Sequence, residues 1–333
     1  MSIRNIIIEA QLGNYLYDVH IISVNITLTL LPAVNRAEII LPASVAMDAS
    51  HGDDAVIRID GGDGMETVLT GKIYSVHRSI YETRIDVADA GLMLNAVRPA
   101  KTFDKQDAAT VIKDLAADCG VDIDRCDIDI KPAFYVAHQN RTSAEHIAYL
   151  AKHAGGYAAV SAEGTLTAST WPSGPDKNLT FGREIREYCT KDRIPVSYQI
   201  VPTGSGPAGT TDAYDAKRPT IKPIPTDAPE PGNDARWIPT QMLRTPDAVS
   251  IAQEGLNRHN AAYASMMEAE TLVMPAFRPG DCFSAEQMPD SLSGGPWYCI
   301  RLTHQLSSKS FSATLIEAIT ADSGDSFSAG GLF

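Results

Sequence analysis

The sequence predicts a β-rich α+β protein with two β-units flanking a small α/β module. Three observations carry this prediction. One register of residues occurs twice: Gly52-Asp53, Ile73 and His77 near the start, and Gly280-Asp281, Ile300 and His304 near the end. Both outer segments alternate polar and apolar residues with period 2, whereas the segment between them switches to helical spacing. The Gly-to-His distance is 25 residues in the first copy and 24 in the second. Each copy runs on into a further polar-apolar stretch, Arg84-Ile85-Asp86-Val87 and Ser312-Ala313-Thr314-Leu315. A chain carrying one β-unit twice suits a symmetry-matching structural part better than a single catalytic cleft.

The first unit, residues 1–98, contains six candidate strands: Ile6-Ile7-Ile8, Val19 to Leu31, Ala37 to Leu41, Ala55 to Ile59, Val68 to Val76 and Thr83 to Ala88. Alternation is clearest in Val24-Asn25-Ile26-Thr27-Leu28-Thr29-Leu30, which puts apolar side chains on one face. Turns such as Asp60-Gly61-Gly62-Asp63-Gly64 separate the strands. Short strands without intervening helices indicate a sandwich or barrel.

The module, residues 99–175, opens with a helix capped by Asp107, apolar at Val111, Ile112, Leu115 and Ala116, and stopped at Gly120. Thr142-Ser143-Ala144-Glu145 is a capping-box pattern that starts a second helix through Ile147, Leu150 and Ala151, ending at Gly155-Gly156. Two short strands follow, Tyr157 to Val160 and Thr165 to Ala168, turning at Glu163-Gly164.

The second unit, residues 176–320, begins near Leu179 and includes Val196 to Val201. Residues 202–239 hold eight of the 20 prolines and read as an exposed loop or strap. A helix is predicted over Pro246 to Met267, with contacts at Val249, Ala252, Leu256 and Tyr263, then strands Thr271 to Met274, Asp281 to Ala285, Trp297 to Leu302 and Phe311 to Ala318. Residues 321–333 form a Ser- and Gly-rich tail.

Composition narrows the function classes. At 333 residues, two or three domains are expected. The net charge of −13, from 41 acidic and 28 basic residues, argues against a nucleic-acid grip, which needs a basic face, but not against a surface past which nucleic acid slides. No run of about 18 apolar residues could form a transmembrane helix. The start, Met1-Ser2-Ile3-Arg4-Asn5, lacks a secretory pattern, so synthesis in a cytoplasm is expected, with any exit independent of an N-terminal signal. Five cysteines, Cys119, Cys126, Cys189, Cys282 and Cys299, are odd in number and fit no zinc spacing, so reduced thiols are expected.

No motif nominates a catalytic, cofactor or metal site. Gly204-Ser205-Gly206-Pro207-Ala208-Gly209 matches a dinucleotide turn literally, but Pro207 breaks the helix it must open. Asp122, Asp124, Asp127 and Asp129 miss a calcium-loop pattern, with Cys126 and Ala133 at two ligand positions. His146 and His153, seven apart on one helix, are expected at the surface or rim, and His77 and His304 to repeat a packing role. No nucleophile elbow, P-loop or catalytic-Cys signature occurs. Aromatic residues, 7% of the chain, do not cluster along the sequence.

The order of these parts resembles the phage late control protein D family of baseplate hub proteins. The resemblance runs over about residues 5–320. It is carried by Leu69-Thr70-Gly71-Lys72-Ile73, Val87-Ala88-Asp89-Ala90 to Leu94, the helix Ala109 to Cys119, Ser143 to Ala151 with Gly155-Gly156, and Arg278-Pro279-Gly280-Asp281. It implies that both β-units are barrels like those of a tail tube. It also implies a homotrimer, whose six barrels form a ring joining a sixfold tail tube or distal tube-initiator protein to a threefold central spike among baseplate wedge proteins. DNA would pass the lumen without specific binding. The implied location is the virion tail baseplate, assembled in the host bacterial cytoplasm, with no enzyme activity and no cofactor. The chain lacks C-terminal β-helix repeats and a recognisable lysozyme or peptidase domain, so a separate spike polypeptide is expected. Phe327, Leu332 and Phe333 in the tail are candidate contacts for a neighbour. The alternatives are a surface- or carbohydrate-binding tail-tip module, which needs a groove with exposed aromatics, and a tail-associated cell-wall hydrolase.

Overall fold

Period-2 alternation governs most of the folded chain. The computed structural model describes residues 5–193, 198–202, 236–240, 242–243, 246–289 and 294–320. Seven strands come first: β1 (Ile7–Leu12), β2 (Tyr15–Tyr17), β3 (Ser23–Thr29), β4 (Arg36–Pro42), β5 (Asp54–Asp60), β6 (Met65–Arg78) and β7 (Glu82–Ala88). In β3, Val24, Ile26 and Leu28 are buried and Asn25 and Thr27 face the other way, as the alternation requires. This strand is shorter than the predicted run from Val19 to Leu31. Val19 is exposed, and Leu31 leaves the strand to donate its N–H to the Ala158 carbonyl at 2.8 Å.

Helical spacing then takes over. The chain forms α1 (Gly91–Ala96), β8 (Lys101–Asp104), α2 (Ala108–Asp118), β9 (Ile123–Cys126), β10 (Phe134–Ala137), α3 (Ser143–His153), β11 (Gly156–Val160) and β12 (Leu166–Thr170). Asp107 caps α2 by accepting the Thr110 N–H at 2.7 Å. The helix stops in a Schellman motif: Gly120 has φ +68°, and the Val121 N–H donates to the Ala116 carbonyl. Thr142 and Glu145 cap each other at the start of α3. Strands β11 and β12 form a hairpin through Gly164 (φ +86°), and β9 joins β12 in parallel.

The last part holds β13 (Lys177–Thr180), β14 (Ile185–Asp192), β15 (Tyr198–Pro202), β16 (Arg236–Thr240), α4 (Pro246–Ala262), β17 (Ser265–Thr271), β18 (Cys282–Glu286), β19 (Gly294–Ser307) and β20 (Ala313–Thr320). Helix α4 ends five residues before the predicted Met267, and the predicted strand Thr271 to Met274 lies earlier, at Ser265–Thr271. Alternation decides this: Met267, Ala269 and Thr271 are buried while Glu268 and Glu270 point outward. The motif at 204–209, most of the Pro-rich stretch and the tail contacts Phe327, Leu332 and Phe333 lie outside the described residues.

Thirteen strands make one large, mostly antiparallel sheet in the order β14-β17-β20-β19-β3-β4-β7-β6-β5-β1-β2, with β18 also on β19 and β13 on β18. One hydrophobic core lies against this sheet and includes Ile26, Ile39, Ile57, Leu69, Ile85, Phe283, Leu302 and Ile316. A second core belongs to the module and takes in Val249, Ala252 and Leu256 of α4. Helix α4 reaches α3 through a glycine contact: a methyl at Gly255 would stand 2.5 Å from the Gly155 nitrogen and 2.6 Å from the His153 carbonyl oxygen. Gly255→Ala gains helix propensity but forces the helices apart. The expected result is a net loss of about 1–2 kcal/mol in chemical denaturation. An unchanged midpoint would show that α4 does not pack this closely.

Candidate functional site: two equivalent turns and an open polar sheet face

The Gly-Asp repeat survives down to individual hydrogen bonds. In the turn Ser50–Asp53, the Asp53 carboxylate accepts the Ser50 N–H at 2.8 Å and the Asp53 N–H donates to the Ser50 carbonyl. In the turn Arg278–Asp281, the Asp281 carboxylate accepts the Arg278 N–H at 2.7 Å and the Asp281 N–H donates to the Arg278 carbonyl. Gly52 (φ +93°) and Gly280 (φ +98°) occupy the third position of each turn, where an L-residue is strained.

Each turn grips the long strand behind it. Gly52 and Asp53 exchange backbone hydrogen bonds with Ile73, and Gly280 and Asp281 with Cys299. The sequence register paired Ile73 with Ile300, so it is one residue out. A bulge follows at once in both copies, at Tyr74 in β6 and at Ile300 in β19. The slip has a consequence for the histidines. With period 2, one residue exchanges the faces: His304 is fully buried and His77 exposed. His304 bonds Thr314 Oγ1 through Nδ1 at 2.8 Å, and burial pushes its pKa down to about 3. The pair therefore shares no packing role.

The same correspondence extends strand by strand. Ile73 faces Val87, which faces Ala37, which faces Ile26; Cys299 faces Ala318, which faces Met267, which faces Thr190. So β6, β7, β4 and β3 match β19, β20, β17 and β14. The two sets are fused side by side, because β19 pairs with β3 from Arg301↔Thr29 to Ser307↔Ser23.

One face of this fused sheet packs on the core; among the described residues the other is open. The open face carries Arg36, Glu38, Glu82, Arg84, Asp86, Arg186, Glu187, Lys191, Glu268, Glu270, Arg301 and Glu317. These charges meet across strands: Arg84–Glu38 at 3.3 Å, Arg186–Glu270 at 2.7 Å, Arg301–Glu317 at 3.2 Å and Lys191–Glu268 at 2.5 Å. Ser75 Oγ donates to Asp86 at the position that Arg301 and Glu317 occupy in the other copy. At the junction, Thr27 and Thr303 hydroxyls lie 3.3 Å apart. Exposed pairs of this kind add little stability each. They make the face polar, with seven carboxylates against five cations.

The other sequence candidates take structural positions. His146 and His153 are buried, not at the rim, because α3 is packed by the module sheet and by α4. His146 bonds Tyr135 Oη at 2.7 Å and the His138 carbonyl oxygen at 3.1 Å, and His153 the Tyr149 carbonyl oxygen at 2.8 Å. Burial lowers the pKa of His153 to about 4. Asp127 accepts from Arg125 and Ser169, and among the described residues no three His, Cys, Asp or Glu side chains converge as metal ligands. All five cysteines are free thiols, with only Cys189 exposed.

Aromatic residues scattered in sequence do cluster in space. Trp171 stacks between Tyr157 and Tyr298, with centroids 4.7 and 4.5 Å away. Tyr157 and Trp171, with Tyr149, Tyr263, Arg141 and Lys152, line a cleft of about 350 Å³.

This arrangement is the fold of phage tail proteins. Over 95% of its length the chain superposes on the 43 kDa tail protein of prophage MuSo2 from Shewanella oneidensis (TM-score 0.67, 13% identity, 98% of that chain). It matches the tail protein from Neisseria meningitidis MC58 over 95% of its length as well (TM-score 0.68, 13% identity, 96% of that chain). It also shares its fold with an E. coli component of the type VI secretion system, itself described as structurally similar to the T4 bacteriophage tail proteins gp27 and gp5 (TM-score 0.63, 9% identity, 94% of this chain and 77% of that one). No protein-family profile and no curated protein sequence matches the chain.

Proposed function

We propose that this protein is a structural, non-enzymatic hub of a phage tail or a related injection machine. Three copies form a ring of six equivalent sheet units, between a sixfold tube and a threefold spike. One observation carries the reading: the two sheet units are equivalent in turn, bulge and strand register, and they lie side by side in one continuous sheet. A chain built this way presents two surfaces of the same backbone geometry, so three chains supply the six that a sixfold partner needs. The open polar face, with its carboxylate excess, fits the wall of a passage that DNA or protein crosses without sticking.

The test is the mass and symmetry of the purified chain. Mass photometry is expected to give three chains, and negative-stain images a threefold ring with six lobes. A species that remains a single chain at every concentration, alone and with tube and spike proteins, would overturn the reading. The aromatic cleft beside Trp171 is the observation that favours the second reading, a surface- or carbohydrate-binding module. Saturable glycan binding by a single-chain species, lost in Trp171→Ala, would select it.

A further inference from the structure

The aromatic cleft lies beside the end of strand β20. Its walls come from three places: Tyr149 and Lys152 of α3, His259 and Tyr263 at the end of α4, and Tyr157 and Trp171 of the β11–β12 hairpin and the residue after it. Cations are interleaved with the rings. The Arg141 guanidinium lies 4.7 Å from the Tyr149 ring centroid. Burial lowers the Lys152 pKa, and no carboxylate acts to raise it. The one lining carboxylate among the described residues, Glu145, is engaged as the α3 cap, accepting the Thr142 N–H at 2.7 Å. In a chain of net charge −13, this cleft therefore sets two cations against one committed anion. A ligand suited to it combines carboxylates with an aromatic ring.

The chain itself brings such a ligand to this place. Strand β20 runs antiparallel to β17 and ends where β17 begins: Ile319 lies between Met266 and Tyr298, and Thr320 faces Trp297. Tyr298 is the third ring of the Trp171 stack, and Tyr263 of the cleft stands three residues before Met266. Thr320 thus hands the chain on at the edge of the cleft. Residues 321–333 carry Asp322 and Asp325 and no Lys or Arg, and their first aromatic residue is Phe327. A chain from Thr320 to Phe327 reaches at most about 25 Å, so both carboxylates and the ring can meet the cleft. We propose that residues 321–333 dock on their own chain in this cleft, with Phe327 among Tyr149, Tyr157, Trp171 and Tyr263, and with Asp322 and Asp325 toward Arg141 and Lys152. A tethered segment meets its site at a roughly millimolar effective concentration, so modest contacts suffice. The contact ties the module to the second sheet unit within one chain. It therefore goes beyond the ring reading and holds whether or not three copies assemble.

The experiment replaces Phe327 by the photo-crosslinking residue p-benzoylphenylalanine in the full chain, beyond the last strand. After irradiation, denaturing electrophoresis gives the mass of the adduct and peptide mass spectrometry its attachment point. The expected result is an adduct of single-chain mass attached to the cleft, on Tyr149, Tyr157, Trp171 or Tyr263. Trp171→Ala is expected to lower its yield about tenfold and Lys152→Glu about fivefold, with Lys152→Arg restoring it. Lys152 reaches the surface, so its variants test charge without disturbing the ring stack. An adduct of two-chain mass on the same residues overturns docking on the own chain and makes a neighbour's tail the occupant. An adduct elsewhere in the chain, or none, overturns the site.

Discussion

Near pH 8, Asp89→Asn is expected to unfold at a higher denaturant concentration than the parent protein, whereas near pH 4 the two should coincide. Asp89 leaves β7 and is 4% exposed. One carboxylate oxygen accepts the Gly91 N–H at 2.9 Å at the start of α1, and the Asp89 N–H donates to the Asn35 carbonyl. Its other oxygen has no hydrogen-bond partner. Asn35 in turn accepts the Thr29 N–H and donates to the Val160 carbonyl, so this polar knot ties β3, β7 and β11 together.

Burial pushes the Asp89 pKa up to about 7, because the charged form loses water and gains too few donors in return. A raised folded pKa means that the fold holds the proton more tightly than the unfolded chain. The contribution of Asp89 is therefore greatest below about pH 4, falls as pH rises toward about 7, and is constant above that. The span is about 4 kcal/mol. The amide keeps the acceptor for Gly91 and has no charge to desolvate, so the variant loses this slope.

The desolvated histidines act with the opposite sign. His153, His259 and His304 are held neutral with pKa values of about 4, 3 and 3, so they withdraw stability as pH falls below about 6.5. With three such histidines against one Asp89, the parent protein should gain stability from about pH 4.5 to about 7, and Asp89→Asn should gain more steeply over the same range. Parallel pH profiles for the two proteins would show that Asp89 is not desolvated as described.

The second large effect separates the two equivalent turns. Gly52→Ala and Gly280→Ala place an L-residue at nearly the same positive φ, a strain of about 1–2 kcal/mol in each. A methyl at Gly52 meets nothing within 4 Å, whereas one at Gly280 would stand 2.4 Å from the Tyr157 ring. That ring lies in β11 and stacks on Trp171, so it yields only by shifting the module against the sheet. Gly280→Ala is expected to cost about 3–5 kcal/mol in all and to change the near-ultraviolet signal of the aromatic stack. Gly52→Ala should cost about 1–2 kcal/mol and leave that signal alone. Equal losses would mean that the turn at Gly280 does not sit on Tyr157.

Much of the fold was legible because it is encoded locally. The Asp107 cap, the Thr142–Glu145 capping box and the Gly120 stop act within a few residues of themselves. The alternation through Val24, Ile26 and Leu28 marks a half-buried strand without reference to anything distant. The repeated Gly-Asp pair was visible because a turn needing positive φ selects glycine wherever it recurs.

Other features were illegible for equally physical reasons. The bulges at Tyr74 and Ile300 add an unpaired residue, so counting from glycine to histidine aligned His77 with the wrong partner. A helix surface and a helix buried on two sides have the same spacing, and His146 and His153 gave no sign of which applied. The aromatic stack joins Tyr157, Trp171 and Tyr298 from distant parts of the chain. By itself the sequence determined helices α2 and α3 with their caps, and the strand-rich character of the segments on either side of them. Only the tertiary structure decided which edges meet and, among the described residues, which face stays open. Period 2 assigns a side chain to one of two faces, but the partner of a strand is chosen by packing between residues such as Thr27 and Thr303, which lie 276 positions apart.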